Sequence, residues 1–307
     1  MLPFVIDEPI SGLSAEAFST WLSDNADDVQ SQLGEHGALL FRGARIAATA
    51  DFELACRTLT PDLKSYIGGG SPRSRVDNAI YTSTEYSASV SIPLHCEGSY
   101  LAEMPRHVWF YCHKPSQIGG QTPLCDMRSV AARLPQEMRD TWAEKGITYI
   151  SNLHDGRGFG KSWAETYETE DKHKVERILD SQGADYAWTD AGLRVLLNEP
   201  ALRPRDRDGA LIWVNQAVNW HPAHLGASHM ARMKKLFGAP ENAPKHARFG
   251  DGTEIPDSDI EACAAALEAE EQVFVWQQGD VLLIDNQVIA HGRQPFEGER
   301  AIYVALA

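Results

Sequence analysis

Hydrophobic positions along the 307-residue chain recur with two different periods. Phe18, Leu22, Val29 and Leu33 fall on one face of a helical spiral, which predicts one helix over residues 14–33, with Ser14 as its N-cap and Gly34 and Gly37 as its stop. A strand at 38–41 and a second helix at 51–59, ended before Pro61, follow. Residues 80–86 alternate as a strand does, and the run VWFYC at 108–112 is apolar throughout, as in a strand buried on both faces. A glycine turn and short strand are expected within 116–126, a helix at 134–145, and a strand at 147–153. Another helix is expected at 171–180, strands within 184–197 and 210–215, and helices at 228–237 and 257–271. Residues 238–256, rich in proline, glycine and charge, read as a surface insertion. The tail opens on a turn at Gly279-Asp280. It then runs through an apolar strand, a turn at Asp285-Asn286, a strand closing on His291, a loop and, after Arg300, a last strand at 301–306.

Many short strands, with helices at the start and between them, point to a mainly β fold with helical decoration, a sandwich or jelly roll. The absence of repeats or linker-like stretches predicts a single domain over 1–307, with a helical N-terminal part at about 12–60 and insertions at about 154–183 and 221–272.

Composition narrows the partners. A net charge of −15 argues against nucleic acid and against an anionic membrane surface. No apolar stretch is long enough for a membrane span, and the first residues lack the pattern of a secretory leader. Five scattered cysteines without a CxxC pair fit a reduced, cytoplasmic protein. Oligomeric state leaves no trace in the sequence.

Candidate chemistry begins at His95-Cys96-Glu97. In an extended segment residues i and i+2 share a face, so this imidazole and carboxylate can reach one ion while Cys96 points away into the core. With 11 histidines and 43 acids in the chain, chance alone supplies about one or two such pairs, so the motif carries weight only through the distant His291. Two histidines and a carboxylate on one face of a metal leave positions open, as in non-haem Fe(II) oxygenases. Arg300 would then fork onto the free carboxylate of a chelating 2-oxo acid, and Thr122 would add a hydroxyl. Taken alone, the tail reads equally as a hairpin with a core histidine and a surface arginine. His221, His224 and His229 form a second patch, but their spacing is not HExxH and Pro222 opposes a helix, so a structural loop is expected. GGGSPRSR at 68–75 lacks the Lys-Ser/Thr of a phosphate loop and is expected to be a mobile loop.

Together these residues resemble the taurine dioxygenase-like (TauD/TfdA) family of Fe(II)/2-oxoglutarate oxygenases. The resemblance covers about residues 81–307 and rests on His95-x-Glu97, Gly119-Gly120-x-Thr122, Gly279-Asp280, Asp285-Asn286, His291-Gly292-Arg293 and Arg300. TSTEY at 82–86, IPLH at 92–95, residues 213–216 and the HGRxPFxGxR tail look like the branch containing the syringomycin-type amino-acyl hydroxylases. The resemblance implies a distorted double-stranded β-helix of the clavaminate synthase-like kind. It implies Fe(II) on His95, Glu97 and His291, with 2-oxoglutarate on Thr122 and Arg300 and O2 as the other co-substrate. Where many relatives carry Asp, this chain has Glu97, which also argues against halogenation. Val304 stands where taurine-specific relatives carry a second arginine, making a sulfonate a poor substrate guess.

The implied activity is hydroxylation of an unactivated C–H bond in a small amino-acid-like molecule of specialised metabolism. The alternatives are an aminoacyl thioester on a carrier protein, a desaturation or cyclisation, or an inactive β-sandwich binding protein. Glu85, Ser99 and Asn215, beside the metal-side segments, are candidate substrate contacts, as are Asn219 and His221, which border the substrate cavity in the family. Arg293 either supports the metal site from behind or is a surface charge.

Overall fold

The structure, a computed structural model, describes residues 2–64, 73–77, 79–84 and 86–307. Its centre is a seven-stranded sheet. The strands run Phe4–Ile6, Ala38–Phe41, Val281–Asp285, His107–Lys114, Ala301–Leu306, Ile80–Thr82 and Arg75–Asp77 in spatial order. The first pair is parallel and the others are antiparallel.

The two-residue period of a strand explains why the central runs are apolar throughout. Leu39, Phe41, Trp109, Tyr111, Val281, Leu283 and Ala305 face one way and pack with Phe18, Leu22, Val29, Leu33 and Phe52 of the N-terminal helices. Ala38, Leu40, Val108, Phe110, Cys112, Leu282, Ile284, Val304 and Leu306 face the other way, into a larger core shared with Leu94, Leu124 and Ala290. Those last residues belong to a three-stranded sheet of Ile92–His95, Ile289–Arg293 and Leu124–Asp126, which faces the large sheet and completes the double-stranded β-helix. The expected mainly β fold with helical decoration is the observed one.

Local chemistry moved several boundaries. The N-terminal helix is two, Ala15–Asp24 and Ala26–His36, meeting at Asn25, whose backbone N–H and side-chain amide both donate to Trp21 O, at 3.0 and 2.8 Å. Ser14 caps the first of them by accepting from Ala17 N, as expected. The helix expected at 134–145 starts after Pro135, as Gln136–Lys145, and a separate helix that was not expected, Met127–Arg133, capped by Asp126, precedes it. The expected surface insertion at 238–256 is corrected more substantially. It contains the strand Lys245–Phe249, with His246, Ala247 and Phe249 buried, paired antiparallel to Ile147–His154. This makes a four-stranded sheet with Gly192–Glu199 and Asp185–Thr189. Most of the expected mobile loop at 65–78 lies outside the described residues, but Arg73 is held in a buried ion pair and Arg75–Asp77 form a strand.

Candidate metal centre and the adjoining cavity

Strand register brings the two distant histidines together. His291 lies directly opposite His95 in the antiparallel pair, so their side chains leave the sheet on one face. Their rings are 4.5 Å apart between centroids, and Phe110 packs edge-on against His291 at 5.0 Å. Glu97, beyond the end of its strand, returns a carboxylate to the same face: Oε2 is 3.9 Å from His95 Nε2 and 3.8 Å from His291 Nε2. One ligand atom from each of the three lies within 4.8 Å of the others, a set that can hold a metal ion.

Backbone bonds hold Glu97 in this position. Asn286, fully buried, accepts from Glu97 N at 2.8 Å and donates to Glu97 O at 2.9 Å and Pro105 O at 2.8 Å. The turn singled out as Asp285-Asn286 thus clamps the carboxylate ligand candidate from behind. Cys96 is buried in the core, as its alternation requires, with Gln216 Nε2 donating to its carbonyl at 2.7 Å.

The electrostatics fit a cation among these groups. Burial lowers the pKa of His95, and burial followed by the charge of Arg73 and the neighbouring ring holds that of His291 well below the usual histidine range. Neutral imidazoles are the form that ligates a metal. His95 Nδ1 is 2.8 Å from Pro93 O, which places its proton there and leaves the Nε2 lone pair turned toward Glu97. The Nε2 atoms of His95 and His291 both lie within 4 Å of the Glu97 carboxylate oxygen, an arrangement that a cation among the three would stabilise. Arg73, ion-paired with Glu97, supplies positive charge there. No argument from the sequence pointed to Arg73, because it sits in a stretch whose composition reads as a loop.

Beside this group lies a small cavity of about 30 Å³ whose lining includes Arg73, Ser83, Thr122, Arg300 and Val304. Arg300 Nε donates to Gly120 O at 2.9 Å, and its other nitrogens reach Ser83 Oγ at 3.3 Å and Thr122 Oγ1 at 3.5 Å. Burial, helped by Arg293, lowers its pKa to about 10. No carboxylate among the described residues pairs with it, so the buried guanidinium has a charge that an incoming carboxylate would compensate. Trp276 Nε1 donates to Thr122 Oγ1 at 3.0 Å. With two donors on its oxygen, the Thr122 hydroxyl proton is left for a ligand. A side chain at Gly120 (φ 70°) would strike Ser116 and press on Arg300, which accounts for the glycine.

The remaining candidates divide. Arg293 is buried and donates to four carbonyls, Thr84, Tyr86, Ser87 and Val90, so it fastens that loop and is no surface charge. Ser99 is fully buried and lines neither the cavity at Arg300 nor the larger one below, contrary to its expected contact with substrate. Both ends of the Asn215 amide serve the backbone, at Ala201 O and Ala217 N, which makes it a turn-forming residue and not a free recognition group. Glu85 lies outside the described residues. Asn219 and His221 do face a cavity, of about 690 Å³, also lined by Tyr100, Lys161, Trp220 and Lys245. Asn219 donates to Leu94 O, next to His95, and its Oδ1 is buried without a partner. His221 accepts from Ala223 N and stacks near His246, whose Nε2 is 2.9 Å from Glu254. These three form a second cluster within 4.8 Å; the pairing of His221 is therefore with residue 246 and was not foreseen from the patch at 221–229.

A β-helix with two histidines, a carboxylate and a buried arginine on one inner face defines the class of the Fe(II)/2-oxoglutarate oxygenases. The chain belongs to the family described as taurine catabolism dioxygenase TauD, TfdA family, matched over residues 6–306. It is 37% identical over 275 residues to the dapdiamide synthesis protein DdaC of Enterobacter agglomerans, covering 89% of this chain and 83% of that protein. It is 30% identical over 308 residues to a clavaminate synthase-like protein of Arabidopsis thaliana, covering 97% and 89%. Among solved structures it resembles an asparagine oxygenase in complex with Fe(II), 3-hydroxyasparagine and succinate, with a TM-score of 0.59, 12% identity and coverage of 95% of this chain and 83% of that one. PvcB from Pseudomonas aeruginosa gives a TM-score of 0.54 at 13% identity, covering 98% and 84%. Among the described residues no helix is long and apolar enough to cross a membrane.

Proposed function

We propose that this protein hydroxylates an unactivated C–H bond of a small amino-acid-like molecule in specialised metabolism, using Fe(II) held by His95, Glu97 and His291 and 2-oxoglutarate held by Arg300 and Thr122. The observation that carries the reading is the convergence of two imidazole Nε2 atoms and one carboxylate oxygen within 4.8 Å, next to a buried guanidinium without a carboxylate partner among the described residues. The 37% identity to a protein of dapdiamide synthesis supports the metabolic setting. Bound iron supplies the oxidising power, drawn from O2 and the decarboxylation of 2-oxoglutarate to succinate.

The chain's own residues do the rest. Asn286 fixes the backbone of Glu97, and the sheet register fixes the facing histidines. Arg300 takes the distal carboxylate of 2-oxoglutarate in a fork, with Thr122 donating its hydroxyl proton beside it. Phe110, Ile302 and Val304 make the wall of that seat apolar, which strengthens the ion pair by excluding water. Substrate enters from the larger cavity, where Asn219 marks the passage toward His95.

The test is an anaerobic titration of metal-free protein with Fe(II) and 2-oxoglutarate. A weak visible charge-transfer band that needs both components is the expected result. No band and no retained iron would mean that the three side chains do not act as ligands.

A further inference from the structure

Arg293 stands between the two cavities. Its guanidinium lines the small one, as Arg300 does. Its terminal nitrogens donate to four carbonyls of one segment: Nη1 to Thr84 O at 3.2 Å and Tyr86 O at 3.1 Å, Nη2 to Ser87 O at 2.8 Å and Val90 O at 2.7 Å. The segment is thus wrapped around a buried cation. Thr84 lines the small cavity, whereas Tyr86 lines the large one. Ser91 then donates its hydroxyl to Arg293 O at 3.3 Å, and the strand Ile92–His95 follows. Little else holds residues 86–90. Tyr86 and Val90 are 40% and 47% exposed, so apolar burial gives the segment little order. Its other backbone bonds among the described residues are Val90 N to Ser87 O at 3.0 Å and Phe296 N to Ala88 O at 2.9 Å.

Arg293 and Arg300 also share one aromatic ring. The guanidinium carbon of Arg293 is 5.2 Å from the centroid of Phe296, and that of Arg300 is 5.7 Å from it. Neither guanidinium pairs with a carboxylate among the described residues. The two cations feel one another: after burial, the charge of Arg293 is the next cause that lowers the pKa of Arg300. Two like charges in a buried region repel, and each is held less firmly than it would be alone. A carboxylate on Arg300 offsets that repulsion and favours the seated position of Arg293.

We propose that Arg293 is a positioning residue that couples the two cavities: a carboxylate bound at Arg300 tightens the grip of Arg293 on residues 86–90 and so sets Tyr86 in the wall of the large cavity. The inference rests on the proposed oxygenase reading in taking that carboxylate to be the distal one of 2-oxoglutarate. The coupling is reciprocal, so a seated Arg293 strengthens the hold of Arg300 on the carboxylate by the same factor. The wall that meets the substrate is then completed only when the co-substrate is in place.

The test is amide hydrogen exchange in the full chain without oxygen, with Fe(II) alone, with Fe(II) and pyruvate, and with Fe(II) and 2-oxoglutarate. Pyruvate has the chelating 2-oxo acid but no distal carboxylate to reach Arg300. The reporters are the amides of Val90 and Phe296, whose bonds close the segment. 2-Oxoglutarate should slow their exchange at least about 5-fold relative to Fe(II) alone, the low end for coupled sites, and pyruvate should not. Arg293→Met should leave both amides in fast exchange in every state and weaken 2-oxoglutarate binding by a comparable factor. Arg293→Lys keeps the charge without the four-carbonyl grip; it should lose the protection but less of the affinity. Equal protection by pyruvate and 2-oxoglutarate, no protection by either, or protection that persists in Arg293→Met overturns the inference. The comparison of the two acids is made on the wild type, so it decides even if the methionine variant does not fold. The charge-transfer band is read in the same samples. A band without protection specific to 2-oxoglutarate leaves the oxygenase reading standing and removes the coupling; the protection without a band does the reverse.

Discussion

The small cavity at Arg300 and the large one lined by Asn219 are built on opposite principles. The one at Arg300 is small, about 30 Å³, and its polar groups are fixed by paired strands and short hydrogen bonds. The other is more than 20 times larger, about 690 Å³, and much of its lining, from Gly160 to Tyr167 and from His221 to Lys245, comes from segments that the β-helix does not require. The contrast separates two requirements. A metal and its co-substrate tolerate little displacement, and the groups proposed to hold them are fixed by sheet register and by buried partners such as Asn286. A substrate pocket can be rebuilt by changing insertions while the reaction is kept.

Variants in the small region should therefore abolish chemistry whatever the substrate. The largest effect is expected for His291→Ala, which removes a ligand candidate. Substitutions that only support a metal ligand already cost about 10–100-fold, so loss of the ligand should exceed that in 2-oxoglutarate decarboxylation. Full succinate release by the variant would remove His291 from the site. Arg300→Lys comes next. A lysine keeps the charge but not the fork, and the variant should weaken 2-oxoglutarate binding by about 30-fold, the low end for breaking a buried charged pair. Measured through the visible band, the effect should be on the 2-oxoglutarate titration more than on iron. Equal losses in both would mean that Arg300 acts on the metal side instead.

Asn286→Ala tests whether the rigidity of the small region matters. It leaves Glu97 N unsatisfied in the core, at a cost of about 1–3 kcal/mol in urea unfolding. It should also weaken iron binding by about 10-fold by freeing the Glu97 backbone. Stability lost with iron affinity intact would make Asn286 a purely structural clamp.

The same contrast governs what could be read before folding. The small region was legible because its residues have few chemical alternatives: paired histidines, a carboxylate and an arginine opening the last strand share a strict spacing. The β class was legible from runs such as residues 108–112 and 281–284, apolar because both faces are covered. The large cavity was not. Lys245–Phe249, KHARF, is a strand whose alternate positions are basic, so its composition reads as surface, and only pairing with Ile147–His154 reveals which face Lys245 shares. Arg73 was missed for the same reason, since a glycine- and serine-rich context gives no sign that a guanidinium is buried against Glu97. For Ser99 and Asn215, closeness in sequence to a candidate ligand says nothing about which way a side chain turns; Ser99 is sealed in the core and Asn215 bonds the backbone.

The smallest expected effect is also the one that best separates the two regions, because it depends on a titration in the large cavity alone. Among the described groups, Lys161 lowers the pKa of Lys245, Glu97 raises it and the Trp220 ring lies beside it; burial is the largest cause and the value is lowered to about 8. An unfolded lysine titrates near about 10.4, so between the two values the folded chain binds fewer protons at Lys245 than the unfolded one. Stability in urea should therefore gain a term that is level below pH 8 and rises above it, by at most about 1.4 kcal/mol per pH unit. Lys245→Met has no such proton to lose. The difference in stability between wild type and variant should change above pH 8 in favour of the wild type and stay constant below it. In the small cavity the pKa of Arg300 is lowered only to about 10, so at pH 8 to 9 Arg300 is still charged and the two regions separate along the pH axis. The same rise in Lys245→Met as in the wild type would mean that another group titrates there and that Lys245 keeps its proton on folding.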